Sequence, residues 1–187
     1  NLAVSLLRES RASVALIELA YPIPGDAALY LGLDRPKAVS DILPLLDRMQ
    51  PALLRSYLTH HSTGVAVVPA AADPLQAKLL SPERIEQFVR LASKTYDFVV
   101  LDLSTELSEP VIDVLDLSDL FCLVLTPDVS SLTQGKRVVD YLQSFKFSRE
   151  MMRLVLNRWA TKTAFPPDTI VESVGLPLAL YLPDDPE

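Results

Sequence analysis

A chain of 187 residues is long enough for one domain with a full core and short for two. Its 49% hydrophobic and 22% charged residues exclude a disordered chain, and a formal net charge of −7 argues against general binding to a phosphate backbone. A local basic patch on an assembled dimer remains compatible with that charge. No apolar stretch reaches the ~20 residues needed to span a bilayer, and the longest apolar runs have the length of buried strands. The single Cys122 lies in the apolar run 120–124, where it reads as a small buried hydrophobe. One cysteine forms no internal disulfide, which fits a reducing, cytoplasmic setting. The first residue is Asn, and nothing near it reads as a signal peptide.

In chain order, residues 1–9 (NLAVSLLRE) predict a helix, and 14–19 (VALIEL) a continuous apolar strand closed by a carboxylate. Residues 39–59 hold helical periodicity broken at Pro44 and Pro51. Residues 64–70 (GVAVVPA) predict a second strand. Ser81, Pro82 and Glu83 supply an N-cap, a first-position proline and a first-turn acid for a helix running to Thr95. A third strand follows over 97–103 (DFVVLDL). A helix over 110–117, a strand over 120–126 and a helix over 131–145 continue the alternation. A strand over 153–156, a short helix over 167–174 and a strand over 178–182 complete it. Helices between continuous apolar strands predict an α/β fold, one domain over 1–187 with a mostly parallel sheet covered by helices on both faces. The chain opens inside a helix, without the strand and turn that precede the first helix of a doubly wound fold. Residues before Asn1, including a phosphate loop, are therefore expected to be missing.

In open α/β sheets ligands bind beyond the carboxyl ends of the strands. Those ends carry Glu18, Asp102, Asp128, Asn157 and Asp184, a polar rim along one edge. Asp and Asn are also favoured turn and cap formers, so a purely structural role competes at each position. Asp102, ending an apolar strand, suits coordination near the Mg²⁺ that bridges nucleotide phosphates. The Asn157 amide can donate and accept at once, as recognition of an adenine edge requires. His60 and His61 lack nearby metal-ligating partners and are expected on a solvated helix end. Lys136, Arg137 and Lys146 are expected on the polar face of their helix. Trp159 either packs under a loop or meets a partner.

Six stretches, in order, resemble the MinD/ParA family of deviant Walker ATPases, and most closely its CpaE/TadZ branch, associated with pilus assembly and polar positioning. They are NLAVSLL at the start, GDAALYLGL at 25–33, YDFVVLDL at 96–103, LTPDVSSL at 125–132, LVLNR at 154–158 and LPDD at 182–185. The resemblance implies a P-loop NTPase-like fold that binds ATP or ADP with Mg²⁺, conditional on an upstream phosphate loop. It makes Asp102 the Walker B aspartate and Asn157 the adenine-reading asparagine, with Pro183 and Asp184 in the loop lining the base. Asp128 and Ser130 fall in a loop that approaches the nucleotide and the dimer interface. It also implies a homodimer and protein partners of a secretion, pilus or positioning system.

Two departures follow. The whole phosphate loop is absent from these residues. Where the family carries an acid-x-acid pair, this chain reads Glu18, Leu19, Ala20, so the second, water-positioning acid is replaced. The expected function is an ATP-binding localisation or pilus-assembly factor with weak or no hydrolysis. The alternatives are a nucleotide-free scaffold that keeps the fold, and an active ParA/MinD-type ATPase with a water-positioning residue from elsewhere. The membrane-attaching C-terminal helix of MinD-type relatives is not visible in these residues.

Overall fold

The computed structural model describes residues 1–19, 26–71, 80–103, 107, 109–160 and 165–184. The chain divides into two compact units, Asn1–Leu117 and Ser118–Glu187.

The first unit is built on a four-stranded sheet in the order β2-β3-β1-β4. β1 (Val14–Glu18) lies parallel to both β3 (Ala66–Val68) and β4 (Phe98–Asp102). β2 (Thr59–His60) adds an antiparallel edge to β3, so His60 sits in a strand and not on a helix end as the sequence suggested. Two residues are too few to produce a periodic signal. Strand β1 reads as an unbroken apolar run because both of its faces are covered. Ala15 and Ile17 face the larger core with Val39, Ile42, Leu54, Phe88 and Val114, from helices α3 (Val39–Ile42), α4 (Pro51–Tyr57), α5 (Pro82–Thr95) and α6 (Glu109–Asp116). Val14 and Val67 face the other side with Ala3, Leu6 and Leu7 of α1 (Leu2–Ser10). Each fully buried side chain of this kind, such as Phe88 or Leu54, contributes about 1.5–3 kcal/mol.

Local chemistry sets the boundaries. Ser81 caps α5 by accepting the Arg84 N–H at 3.4 Å, with Pro82 in the first turn. Pro44 falls in the 3-10 segment Leu43–Arg48 and Pro51 opens α4, so the helical run 39–59 is three short pieces.

The second unit holds the parallel sheet β5-β6-β7: β5 (Phe121–Leu125), β6 (Met152–Trp159) and β7 (Leu178–Pro183). Its helices are α7 (Val129–Ser144) and α8 (Pro167–Val174). Gly175, at φ 78°, ends α8 in the left-handed conformation a glycine adopts without strain. Cys122, expected to be buried, is exposed; it alternates with Phe121 and Leu123 and shares its face of β5 with Val124, which is also exposed. Among the described residues no helix is long and apolar enough to cross a membrane.

Candidate functional site

The carboxyl end of the first sheet collects three acids. Glu18 and Asp102 are direct partners in the parallel register of β1 and β4, and the Leu19 N–H continues the ladder by donating to the Asp102 carbonyl at 2.8 Å. Glu18 is only 2% exposed. Its Oε1 accepts the Ala27 N–H at 3.1 Å, at the start of the one-turn helix α2 (Ala27–Tyr30), while its Oε2 is buried without a partner among the described residues. Burial raises the Glu18 pKa above the ordinary range; the Ala27 bond opposes the rise, and the charges of Asp102 and Asp26 add to it. The Asp102 side chain accepts no hydrogen bond from the described residues, and desolvation raises its pKa as well. The start of α1 lies at this end of the sheet, near Asp102.

The carboxyl end of the second sheet brings Asn157, Pro183 and Asp184 onto neighbouring strands. Beyond Leu156, paired with Tyr181, β6 takes three steps while β7 takes two, so that Trp159 pairs with Pro183. The extra residue makes a bulge at Asn157 and Arg158, the latter at φ 53°. The Asp184 N–H donates to the Trp159 carbonyl at 3.0 Å and closes the strand pair beyond the bulge. The Trp159 and Tyr181 rings lie 5.6 Å apart at 38°. The half-buried Asn157 amide has no hydrogen-bond partner among the described residues.

Asp128 behaves differently. It is the N-cap of α7: its Oδ1 accepts the Ser131 N–H at 2.9 Å, its Oδ2 accepts from the Thr126 hydroxyl, and both bonds lower its pKa. Lys136 is paired with Asp140 one turn on, and Lys146 lies past the end of α7 at φ 68° rather than on its face. His61 bonds its own turn through the Thr63 hydroxyl. Ala20, which replaces the second acid, and Asp185 lie outside the described residues. The Ala27 N–H and the Tyr181 ring are site features that sequence reasoning missed. Only the alternation of Tyr181 with Pro183 along β7 could have indicated the ring.

Among the described residues no three His, Cys, Asp or Glu side chains form a metal cage. Mg²⁺ held beside a nucleotide uses one or two carboxylates and completes its shell with phosphates and water. Asp102 and the Glu18 Oε2, neither with a hydrogen-bond partner among the described residues, are carboxylate oxygens of that kind.

No protein-family model matches the chain. It is similar to MinD of Bacillus subtilis, 23% identical over 192 residues and 100% of this chain, and to MinD of Thermotoga maritima, 20% identical over 112 residues and 57% of this chain. It spans 62% and 41% of the lengths of those two relatives. Among solved structures, a ParA family ATPase from Chlorobium tepidum superposes with a TM-score of 0.90 at 25% identity, over 98% of this chain and 77% of the other. MinD of Pyrococcus horikoshii complexed with Mg-ADP gives 0.78 at 21% identity, over 99% and 74%. The MinC:MinD complex of Aquifex aeolicus gives 0.75 at 20% identity, over 98% and 74%. The parallel strands, their covering helices and these superpositions establish that the chain has the fold of the MinD/ParA ATPases.

Proposed function

We propose that this chain is the nucleotide-binding part of a CpaE/TadZ-like localisation or pilus-assembly factor that holds ATP or ADP with Mg²⁺ and hydrolyses it slowly or not at all. The contrast between side chains carries the reading. Asp128 is taken up as a helix cap, whereas the Asp102 carboxylate at the end of β4 and the Asn157 amide at the bulge of β6 have no partner among the described residues. Polar side chains left unmatched at strand ends are the groups a ligand completes. The start of α1 lies near Asp102, and a helix N-terminus favours phosphate.

In this reading Asp102 and Glu18 orient the metal's water shell, Asn157 meets the adenine edge, and Pro183 and Asp184 line the base. Bound Mg²⁺ neutralises charge on the phosphates. The phosphate loop is supplied outside these 187 residues, which contain no G-x-x-x-x-G-K stretch. Glu18, the acid left in the pair, has one oxygen tied to Ala27, and Ala20 offers no second carboxylate to orient water. Slow turnover follows. The protein works as a cytoplasmic, homodimeric, nucleotide-dependent binder of a pilus or positioning system, directed to a pole or membrane by its partners; the MinC:MinD complex is a precedent for partner binding on this fold.

Binding of a fluorescent ATP analogue to the full-length protein, with and without Mg²⁺, tests the proposal. Micromolar binding that Asn157→Ala weakens at least 10-fold is the expected result. No binding at millimolar nucleotide would leave a nucleotide-free scaffold.

A further inference from the structure

We propose that the Trp159–Tyr181 ring pair is an apolar wall against which a purine base stacks, with Asn157 meeting the edge of that base. The inference rests on the nucleotide-binding reading and adds to it the surface that holds the base. The bulge at Asn157 and Arg158 lies next to Trp159 in β6, and bulges of this kind re-aim the side chains around them. The Asp184 N–H bond to the Trp159 carbonyl fixes the backbone under the indole. Tyr181 is 57% exposed and Trp159 half-buried, so the pair keeps open aromatic surface at the carboxyl end of the strands.

Neither the Trp159 indole N–H nor the Asn157 amide has a hydrogen-bond partner among the described residues. Both groups are open to solvent, and so to a ligand arriving from it. Two tilted rings beside an unmatched amide present what a planar heterocycle needs: a stacking surface and a group that can donate and accept at its edge. The nucleotide reading makes that heterocycle the purine of ATP or ADP. Stacking of a base on one aromatic ring changes affinity by about 10- to 100-fold.

Calorimetry on the full-length protein, with Mg-ATP and with Mg-tripolyphosphate as a base-free probe, tests the wall. Trp159→Ala should weaken Mg-ATP about 10- to 100-fold and leave tripolyphosphate binding unchanged, while Trp159→Phe stays within about 3-fold of the parent protein. ATP should also quench a component of tryptophan emission that is missing in Trp159→Phe. Should Trp159→Ala fail to fold, Tyr181→Ser, at an exposed position, should show the same selective loss of ATP. If ATP binds the parent protein, but every folded variant binds it equally and the emission does not move, the wall is overturned and the nucleotide reading stands. If neither ATP nor tripolyphosphate binds the parent protein, both are overturned.

Discussion

Glu18 and Asp102 end neighbouring parallel strands as direct register partners, yet their carboxyl groups have different surroundings. Glu18 is buried, with Oε1 on the Ala27 N–H; neither its Oε2 nor the Asp102 carboxylate accepts a hydrogen bond from the described residues. Desolvation opposes ionisation at both, and the charge of Asp102 adds to that opposition at Glu18. The arrangement carries a stability cost at neutral pH that a cation would relieve.

Replacing Glu18 by Gln should therefore stabilise the ligand-free protein. Raised folded-state pKa values mean that the folded state binds the proton more tightly than the unfolded chain. That contribution is fully present below the ordinary carboxylate range and is lost as pH rises through the raised values. Glu18→Gln keeps an oxygen for the Ala27 N–H and removes the charge. Its Tm at pH 7 to 8 should exceed the parent's by roughly 2–4 °C, the size of a ~1 kcal/mol change in a chain of this length. The gap should close towards pH 4, and a lower Tm for Glu18→Gln at pH 8 would contradict this account.

A different constraint governs Gly135 in α7. A Cβ there would stand 2.2 Å from Leu125 Cδ1 and 3.2 Å from its Cγ, so the whole Leu125 side chain must move. Leu125 is buried. Gly135→Ala gains about 1 kcal/mol of helix propensity but loses about 1–3 kcal/mol to overpacking. Net destabilisation by up to about 2 kcal/mol is expected in urea titration, with most of it recovered when Leu125→Val is added.

Asp128 should act through stability and not through nucleotide. Its bonds to Ser131 N–H and the Thr126 hydroxyl make Asp128→Ala lower the Tm, while Asp128→Ser, another good cap, restores most of the loss. Both variants should bind ATP within about 3-fold of the parent when folded, less than the effect of losing one hydrogen bond to the ligand. A selective loss of ATP binding in Asp128→Ala with an unchanged Tm would place the carboxylate on the nucleotide.

These contrasts show where sequence was informative. The apolar runs at 14–19 and 153–156 were readable as buried strands because parallel strands covered on both faces need no alternation, and the run 97–103 was readable as a strand although β4 is only partly buried. Ser81, Pro82 and Gly175 announced helix ends through chemistry that acts within one turn. What escaped depends on partners distant in sequence. The two-residue β2 exists only because β3 offers it an edge, and the bulge at Asn157 and Arg158 appears only when β6 is set against β7. The five polar strand ends were visible, but which of them is occupied as a cap and which stays free was not. Asp128 and Asp102 read alike until the hydrogen bonds of each are known.

Asp102 is the residue on which the metal part of the proposal turns. In the ligand-free protein its carboxylate makes no described hydrogen bond and is partly desolvated, so Asp102→Asn should fold at least as stably as the parent at pH 7. With nucleotide the direction reverses. An amide cannot hold a hydrated divalent cation as a carboxylate does, and loss of an outer ligand of this kind weakens metal affinity about 10- to 100-fold. ATP affinity in the full-length protein should therefore rise with Mg²⁺ in the parent and barely respond in Asp102→Asn, while affinity without Mg²⁺ stays similar in the two. Equal Mg²⁺ enhancement in both would remove Asp102 from the metal site and leave Glu18, with its unmatched Oε2, as the carboxylate to test next.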